Sequence, residues 1–246
     1  MKTLLLKLSG PMQAWGTSSH FETRDTDYYP SKSAVIGIVA ASFGYGRAAD
    51  DEIQKFNEID FAVRVDQVGV RAEDYHTVEK CKASGALDRN YVTKRYYMED
   101  AVFVVALSHA DDQWMQDILY ALKHPFFTPF MGRRSCPLPP DFIIKLTDDG
   151  PIEALEKLEW QAESWFKRLF KRQNHDDYIA DIYADSDLIP CSQSQPKVRR
   201  DRVISFSQKG RNFGPRFEKR KTIRFNISSN SLSRLPNDAI DFYESI

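Results

Sequence analysis

Three observations predict an α+β fold. Short apolar runs that read as strands alternate with two helical segments. A polar, tyrosine-rich stretch interrupts the order after the second strand, and the last quarter is basic and rich in β-formers. The resulting order is strand, helix, strand, insertion, strand, helix, strand, the β-α-β-β-α-β arrangement of a ferredoxin-like or RRM-like domain.

The first strand is Thr3 to Leu8, closed by Ser9-Gly10-Pro11. A long loop carrying Trp15, His20, Phe21 and Arg24 follows, then a helix from Ser31 to Phe43 with Gly44 as its C-cap. Phe61, Val63 and Val65 alternate as a strand should, over Phe61 to Val70. Glu73 to Asp100 is polar with little periodicity, so an irregular insertion is expected there. Ala101 to Leu107 is a buried strand. Asp111 to Lys123 is an amphipathic helix with Trp114, Ile118 and Leu122 on one face, stopped by Pro125. After the loop FFTPFMGRRSCPLPP, Asp141 to Leu146 is the last strand of the domain.

That places a domain over residues 1–150, with its insertion at about 73–100, and an extension over 151–246. Pro151 opens a long helix, expected to run to about Lys171 with Leu155, Leu158, Ala162, Trp165, Phe166 and Leu169 on one face. Beyond Pro190 the segments RVISF and TIRFNI predict a basic β-hairpin.

The net charge of −1 says nothing about partners, but its distribution does. Lys197 to Arg224 holds eleven Lys or Arg against Asp201 and Glu218 alone. A basic face for nucleic acid is compatible with that pattern. Cys81, Cys136 and Cys191 are three in number, widely spaced and without paired histidines, so neither a disulfide framework nor a zinc site is indicated. No apolar run approaches the roughly 20 residues needed to span a bilayer, and a cytoplasmic address is the simplest expectation. The sequence implies no cofactor, metal or membrane.

Three segments point to phosphate. In TRDTDYYPSKSAVIGIVAASFG, Ser31, Lys32 and Ser33 fall at a helix N-terminus, where unpaired N–H groups and the positive dipole end favour an anion, and Arg24 adds charge. No glycines precede Lys32, which excludes a Walker loop. In the Gly132-Arg133-Arg134-Ser135 turn, glycine permits close backbone approach and two guanidiniums can grip phosphates. In the insertion, Lys94 and Arg95 stand beside Tyr96 and Tyr97, a mixture of cations and rings suited to single-stranded nucleic acid. Taken singly, each reads equally as a capped helix, a solvated loop or a surface insertion. The histidines, His20, His76, His109, His124 and His175, show no metal-ligand spacing. His20 or His76 could serve a metal-free ribonuclease as a general base, but no spacing establishes such a site.

Four motifs, SGPMQAWG (Ser9 to Gly16), TRDTDYYPSKSAVIGIVAASFG, DYHTV (Asp74 to Val78) and PFMGRRSCPL (Pro129 to Leu138), stand in an order that resembles the CasD subunit family of type I-E CRISPR Cascade, within the RAMP superfamily. From Pro151 onward the resemblance thins, and WFKRLFKRQNHDDY looks like an insertion. The resemblance implies a RAMP ferredoxin-like fold whose thumb is the insertion around His76 to Tyr97. It implies a non-catalytic subunit that holds the 5′ handle of the crRNA and caps the backbone, with the backbone and large subunits as neighbours and target DNA met through the complex. The RNA-binding residues it implies are Arg24, Ser31, Lys32, Ser33, Lys94, Arg95, Arg133, Arg134 and Ser135. Two alternatives remain: a metal-independent endoribonuclease that processes repeat RNA, and an interaction subunit whose basic tail contacts DNA or protein.

Overall fold

A computed structural model describes residues 1–19, 22–173, 175–190 and 195–227. His20, Phe21 and Cys191 therefore lie outside the described residues. Strands β1 (Lys2–Ser9), β4 (Asp60–Gln67), β7 (Val102–His109) and β8 (Ile143–Thr147), with helices α1 (Lys32–Phe43) and α3 (Asp112–Lys123), form the expected domain. Between them stand β2 (Met12–Gln13), β3 (Thr23–Arg24), α2 (Asp50–Lys55), β5 (Val70–Cys81) and β6 (Leu87–Glu99). The chain continues through α4 (Pro151–Lys157), α5 (Ser164–Arg172), β9 (Asp177–Asp185), β10 (Lys197–Ser205) and β11 (Asn212–Asn226).

The main sheet runs β10-β11-β9-β4-β7-β1-β8. Its β4-β7-β1-β8 part has ferredoxin-like order and antiparallel pairing throughout. Both faces are covered. Leu4, Leu6, Leu8, Phe61, Val63, Phe103 and Val105 pack on one side with residues of α1 and α3. Leu5, Ala62, Val104 and Ala106 pack on the other with Ala154 and Leu155 of α4. A strand buried on both faces needs no alternation, which explains the unbroken AVFVVAL run of β7. The face that an RRM-like domain leaves open for bases is closed here by α4.

α1 is largely apolar because it is buried beside α3 and against β10 on that face of the sheet. Ser31 caps it, its Oγ accepting from the Ala34 N–H at 3.3 Å, and Gly44 ends it at φ 83° with its N–H turned back to Ala40 and Ala41.

Two expectations are corrected. The insertion is not irregular: β5 and β6 form one long antiparallel hairpin, Val70 opposite Glu99 through Cys81 opposite Leu87. Its outer half is exposed on both faces, so no apolar alternation marks it in the sequence. The long helix after Pro151 is also broken in two. Arg64 and Asp66, both fully buried, are ion-paired at 2.6 Å, and Arg64 further donates to the carbonyls of Leu155, Leu158 and Glu159. Those carbonyls end α4 on a guanidinium in place of a further helical turn. The Gln161 N–H and the Trp160 indole N–H then turn to Asp66, at 2.6 Å each. Leu155 and Leu158 therefore join one core cluster and Trp160 and Ala162 another, while Trp165 and Leu169 face outward.

The basic C-terminal stretch is the expected hairpin, β10 against β11, and through β9 it extends the main sheet. Residues 151–246 thus share one sheet with residues 1–150 where described.

Candidate nucleic-acid interface

The base of the hairpin arm is built as a ribbon. On the free edge of β6, β3 pairs in parallel, Thr23 with Lys94 and Arg24 with Arg95, while β2 pairs near the root, Gln13 with Met98. Paired residues of neighbouring strands project to the same side, about 4.8 Å apart, so Arg24 and Arg95 share one face. Tyr97, two residues beyond Arg95, lies on that face too.

The Gly132–Ser135 turn closes on this face. Met131 and Cys136 are buried anchors whose backbones pair, Met131 N–H to Cys136 O at 2.7 Å, and the Ala14 N–H reaches Met131 O at 3.2 Å. Gly132 has φ 79°, and a Cβ there would stand 1.7 Å from the Ala14 carbonyl oxygen. Only glycine fits. Arg133 then stacks 4.2 Å from the Tyr97 ring centroid and donates from Nη2 to the Arg24 carbonyl at 2.8 Å, with Nη1 left without a hydrogen-bond partner. Arg134 and Ser135 are exposed at the tip of the turn.

Three predicted cations from distant segments, Arg24, Arg95 and Arg133, are thus gathered on one face of the arm's base. Arg211 of the C-terminal hairpin is close enough to Arg24 and to Arg47 to feel both charges. Burial first, and then the charges of Arg47 and Arg24, pull the Arg211 guanidinium below its ordinary range. Asp74, opposite Arg95 in the register, shares this face and is engaged by His76, and the arginines outnumber it, so the face favours a polyanion. Sequence reasoning did not single out Arg47, or Arg211 within the basic stretch, because only the fold brings Arg211 within reach of both Arg24 and Arg47.

Lys94 is on the opposite face of the ribbon. It is paired with Glu73 at 2.8 Å, and Tyr96 donates to the same carboxylate at 2.6 Å. These bonds raise the Lys94 ammonium and lower Glu73. On that face Arg71 bonds Asp25 at 2.7 Å and stacks 4.0 Å from the Tyr96 ring centroid. The cation-and-tyrosine run of the sequence therefore divides by pleat: one side pairs internally and the other presents charge.

The helix-terminus residues are placed differently from expectation. Ser31, Lys32 and Ser33 are buried, and the anion at the N-terminus of α1 is the protein's own: the Lys32 N–H donates to Asp201 at 2.9 Å. Lys32 Nζ is paired with Asp185 at 2.9 Å and donates to Asn57 O. Lys32 and Arg24 do not add charge at one place: Lys32 is paired inside the fold, and Arg24 stands on the ribbon beside Arg95. Around Asp201 a network closes. Arg216 bonds Asp201, Asp185 and Glu218, Arg199 bonds Asp27 and stacks on Tyr29, and Tyr29 donates to Glu218 at 2.6 Å. Burial pushes the Asp201 carboxyl up, but the hydrogen bonds and charge of Arg216 outweigh it and hold the group below the usual carboxylate range. Arg199 and Arg216 of the basic stretch are therefore structural.

Of the candidate general bases, His76 stands on the arm with Nε2 2.5 Å from Asp74 Oδ2. Among the described residues no group of three or more His, Cys, Asp or Glu side chains is placed to hold a metal ion, and no helix is long and apolar enough to cross a membrane.

The fold and site define an α+β protein with one projecting hairpin and a cationic face at its root. Residues 3–217 match the family described as CRISPR-associated protein (Cas_Cas5), and the chain belongs to that family. It is 36% identical over 174 residues, 63% of this chain and 76% of the relative, to the CRISPR system Cascade subunit CasD of Escherichia coli (strain K12). A chain of a solved CRISPR RNA-guided surveillance complex superposes with a TM-score of 0.73 and 28% identity, covering 92% of each chain. A solved Cas protein gives 0.61 and 27%, over 89% of this chain and 94% of the other.

Proposed function

We infer that this chain is the crRNA-binding subunit of a type I-E Cascade interference complex, holding the 5′ handle of the crRNA without chemistry of its own. The observation that carries this reading is the convergence of Arg24, Arg95 and Arg133, from three separate segments, on one face at the root of the arm, where the carboxylate opposite Arg95, Asp74, is engaged by His76. Similarity to CasD and to a chain of an RNA-guided surveillance complex supports it. Arg133 is pre-ordered by Tyr97 and the Arg24 carbonyl, so a phosphate meets a guanidinium whose rotamer is already fixed. Arg134 and Ser135 extend the grip, and Arg47 and Arg211 continue it past Arg24. Lys94, Ser31, Lys32 and Ser33 serve by fixing the ribbon and α1. Residues 1–150 carry Arg24, Arg95 and Arg133, and the described part of the extension adds Arg211 and extends the sheet behind them. The arm's outer half meets the backbone subunit, the large subunit lies alongside, target DNA is reached through the complex, and the setting is cytoplasmic.

The His76–Asp74 contact favours one second reading, a metal-independent endoribonuclease that processes repeat RNA. Gel shift and denaturing gel on the full chain with a repeat-derived RNA in EDTA separate the two. Retained, uncut RNA is expected, with affinity falling as salt rises. Arg24→Gln, Arg95→Gln and Arg133→Gln together should lower the salt slope by about 2, at about 0.7 per lost phosphate contact on a single strand. Cleavage at one position that His76→Ala abolishes would replace this reading with the nuclease. An unchanged slope would remove RNA from this face.

A further inference from the structure

We propose that α5, with the groove at its N-terminal end, is a second contact for single-stranded nucleic acid, outside the arm-root cluster. Helix α5 (SWFKRLFKR) turns Phe166 and Phe170 inward against Trp160, with ring centroids 6.1 and 6.0 Å apart. Lys167 also turns inward, its Nζ donating to the Trp160 carbonyl. What remains outward is a stripe at i, i+3, i+4 and i+7: Trp165, Arg168, Leu169 and Arg172. Trp165 is 44% exposed and Leu169 45%, so neither is held in a core. Arg168, Lys171 and Arg172 are exposed, and no salt bridge among the described residues includes them. Trp15 and Trp160, by contrast, are buried.

Trp165 overhangs a groove of about 300 Å³ whose other walls include Gly10, Pro11, Asp100, Ala101 and Pro139. These residues belong to the root of the arm and to the proline loop that carries the Gly132–Ser135 turn. The groove therefore borrows its walls from the arm root and the proline loop but not from the arm-root arginines. Its two carboxylates fit a base better than a phosphate. Glu163 is paired with Lys7 at 3.2 Å, and Asp100, exposed at φ 54°, offers an acceptor to an exocyclic amino group. A base stacks on the Trp165 indole at the groove, and phosphates follow Arg168 and Arg172, about 6 Å apart along the axis. Stacking on an exposed indole requires an unpaired base, which selects a single strand over a duplex.

The test uses the full chain and a fluorescein-labelled single-stranded 20-mer, as RNA and as DNA, read by anisotropy across salt. Thermal melts confirm that each variant is folded. Trp165→Ala should weaken binding roughly 5- to 150-fold, the range for one lost stack. Arg168→Gln/Lys171→Gln/Arg172→Gln should lower the salt slope by about 2. In the wild type, bound oligonucleotide should shield the exposed indole from iodide quenching, and Trp165→Ala should remove that protection. Unchanged affinity, slope and quenching in these variants would overturn the proposal. So would variants that keep the oligonucleotide yet lose binding to polyglutamate, since the stripe would then be an acidic-protein site. Because Arg133→Gln/Arg134→Gln is measured in parallel, failure of the arm-root reading with α5 effects intact is a distinct result.

Discussion

Arg133 joins the two halves of the candidate site at the level of single side chains. Its guanidinium is stacked on Tyr97 and bonded to the Arg24 carbonyl, so the loop that bears it is tied to the ribbon beneath. A flexible lysine would give a charge there but neither the planar stack nor the fork. The clamp depends on Gly132, whose missing Cβ lets the turn lie against Ala14 O. Gly132→Ala combines a left-handed φ with a backbone clash and should cost about 1–3 kcal/mol or more. A melting temperature lowered by several degrees, with weaker RNA binding, is the expected result. An unchanged melt would mean that the turn does not rest on Ala14.

At the scale of elements, the β5–β6 arm departs furthest from an ordinary ferredoxin-like domain. From Thr77 to Tyr91 almost every residue is exposed, and the turn at Lys82–Ala86 closes on one backbone bond pair of 2.8 and 2.9 Å. A two-stranded ribbon with no covered face has little to hold it beyond its ladder. Its root is different: Thr93, Tyr97 and Met98 are buried, and β2 and β3 brace the outer edge. Among the described residues, limited trypsin digestion should therefore cut first at Lys80, Lys82 or Arg89 and spare the arm's root and the sheet. Bound RNA should slow cleavage at Arg95 without sparing the tip. First cuts in the Arg133–Arg134 turn would contradict the clamped geometry described above.

For the whole molecule, the network around Asp201 and Arg216 joins α1, the loop before it and the C-terminal sheet. Asp201 accepts two bonds from Arg216 and one from the Lys32 N–H while fully buried. Removing one partner of such a pair leaves the other charged and unsatisfied. Asp201→Asn should destabilise the chain by about 3–5 kcal/mol in chemical denaturation. The pH dependence has a definite sign. The folded carboxyl sits below its unfolded value of about 3.9, so its contribution is complete above that pH and is lost as pH falls through the folded value. Asp201→Asn should flatten the acid limb of the stability curve. An equally steep limb in the variant would show that other carboxylates set it.

The amino-acid sequence determined those elements whose signals are local. Apolar runs fixed β1 and β7, Ser31 and Gly44 bounded α1, Asp111 began α3, and glycine before two arginines marked the turn that meets the arm. The cationic face was legible in part: Arg24, Arg95, Arg133, Arg134 and Ser135 all stand in recognisable motifs. Tertiary structure alone decided which charges are presented. Lys32 looks free in PSKS, but its partner Asp185 is 153 residues away. Lys94 and Arg95 are neighbours in sequence, and the pleat sends them to opposite faces, one to Glu73 and one beside Arg24. Arg199 and Arg216 look like a basic tail until β9 brings Asp185 beside the Asp201 and Glu218 of their own hairpin. The broken helix after Pro151 was hidden for the same reason, since Arg64 ends it from another strand. Charge in a sequence is a property of a residue, but availability to a ligand depends on which opposite charge the fold has placed within reach.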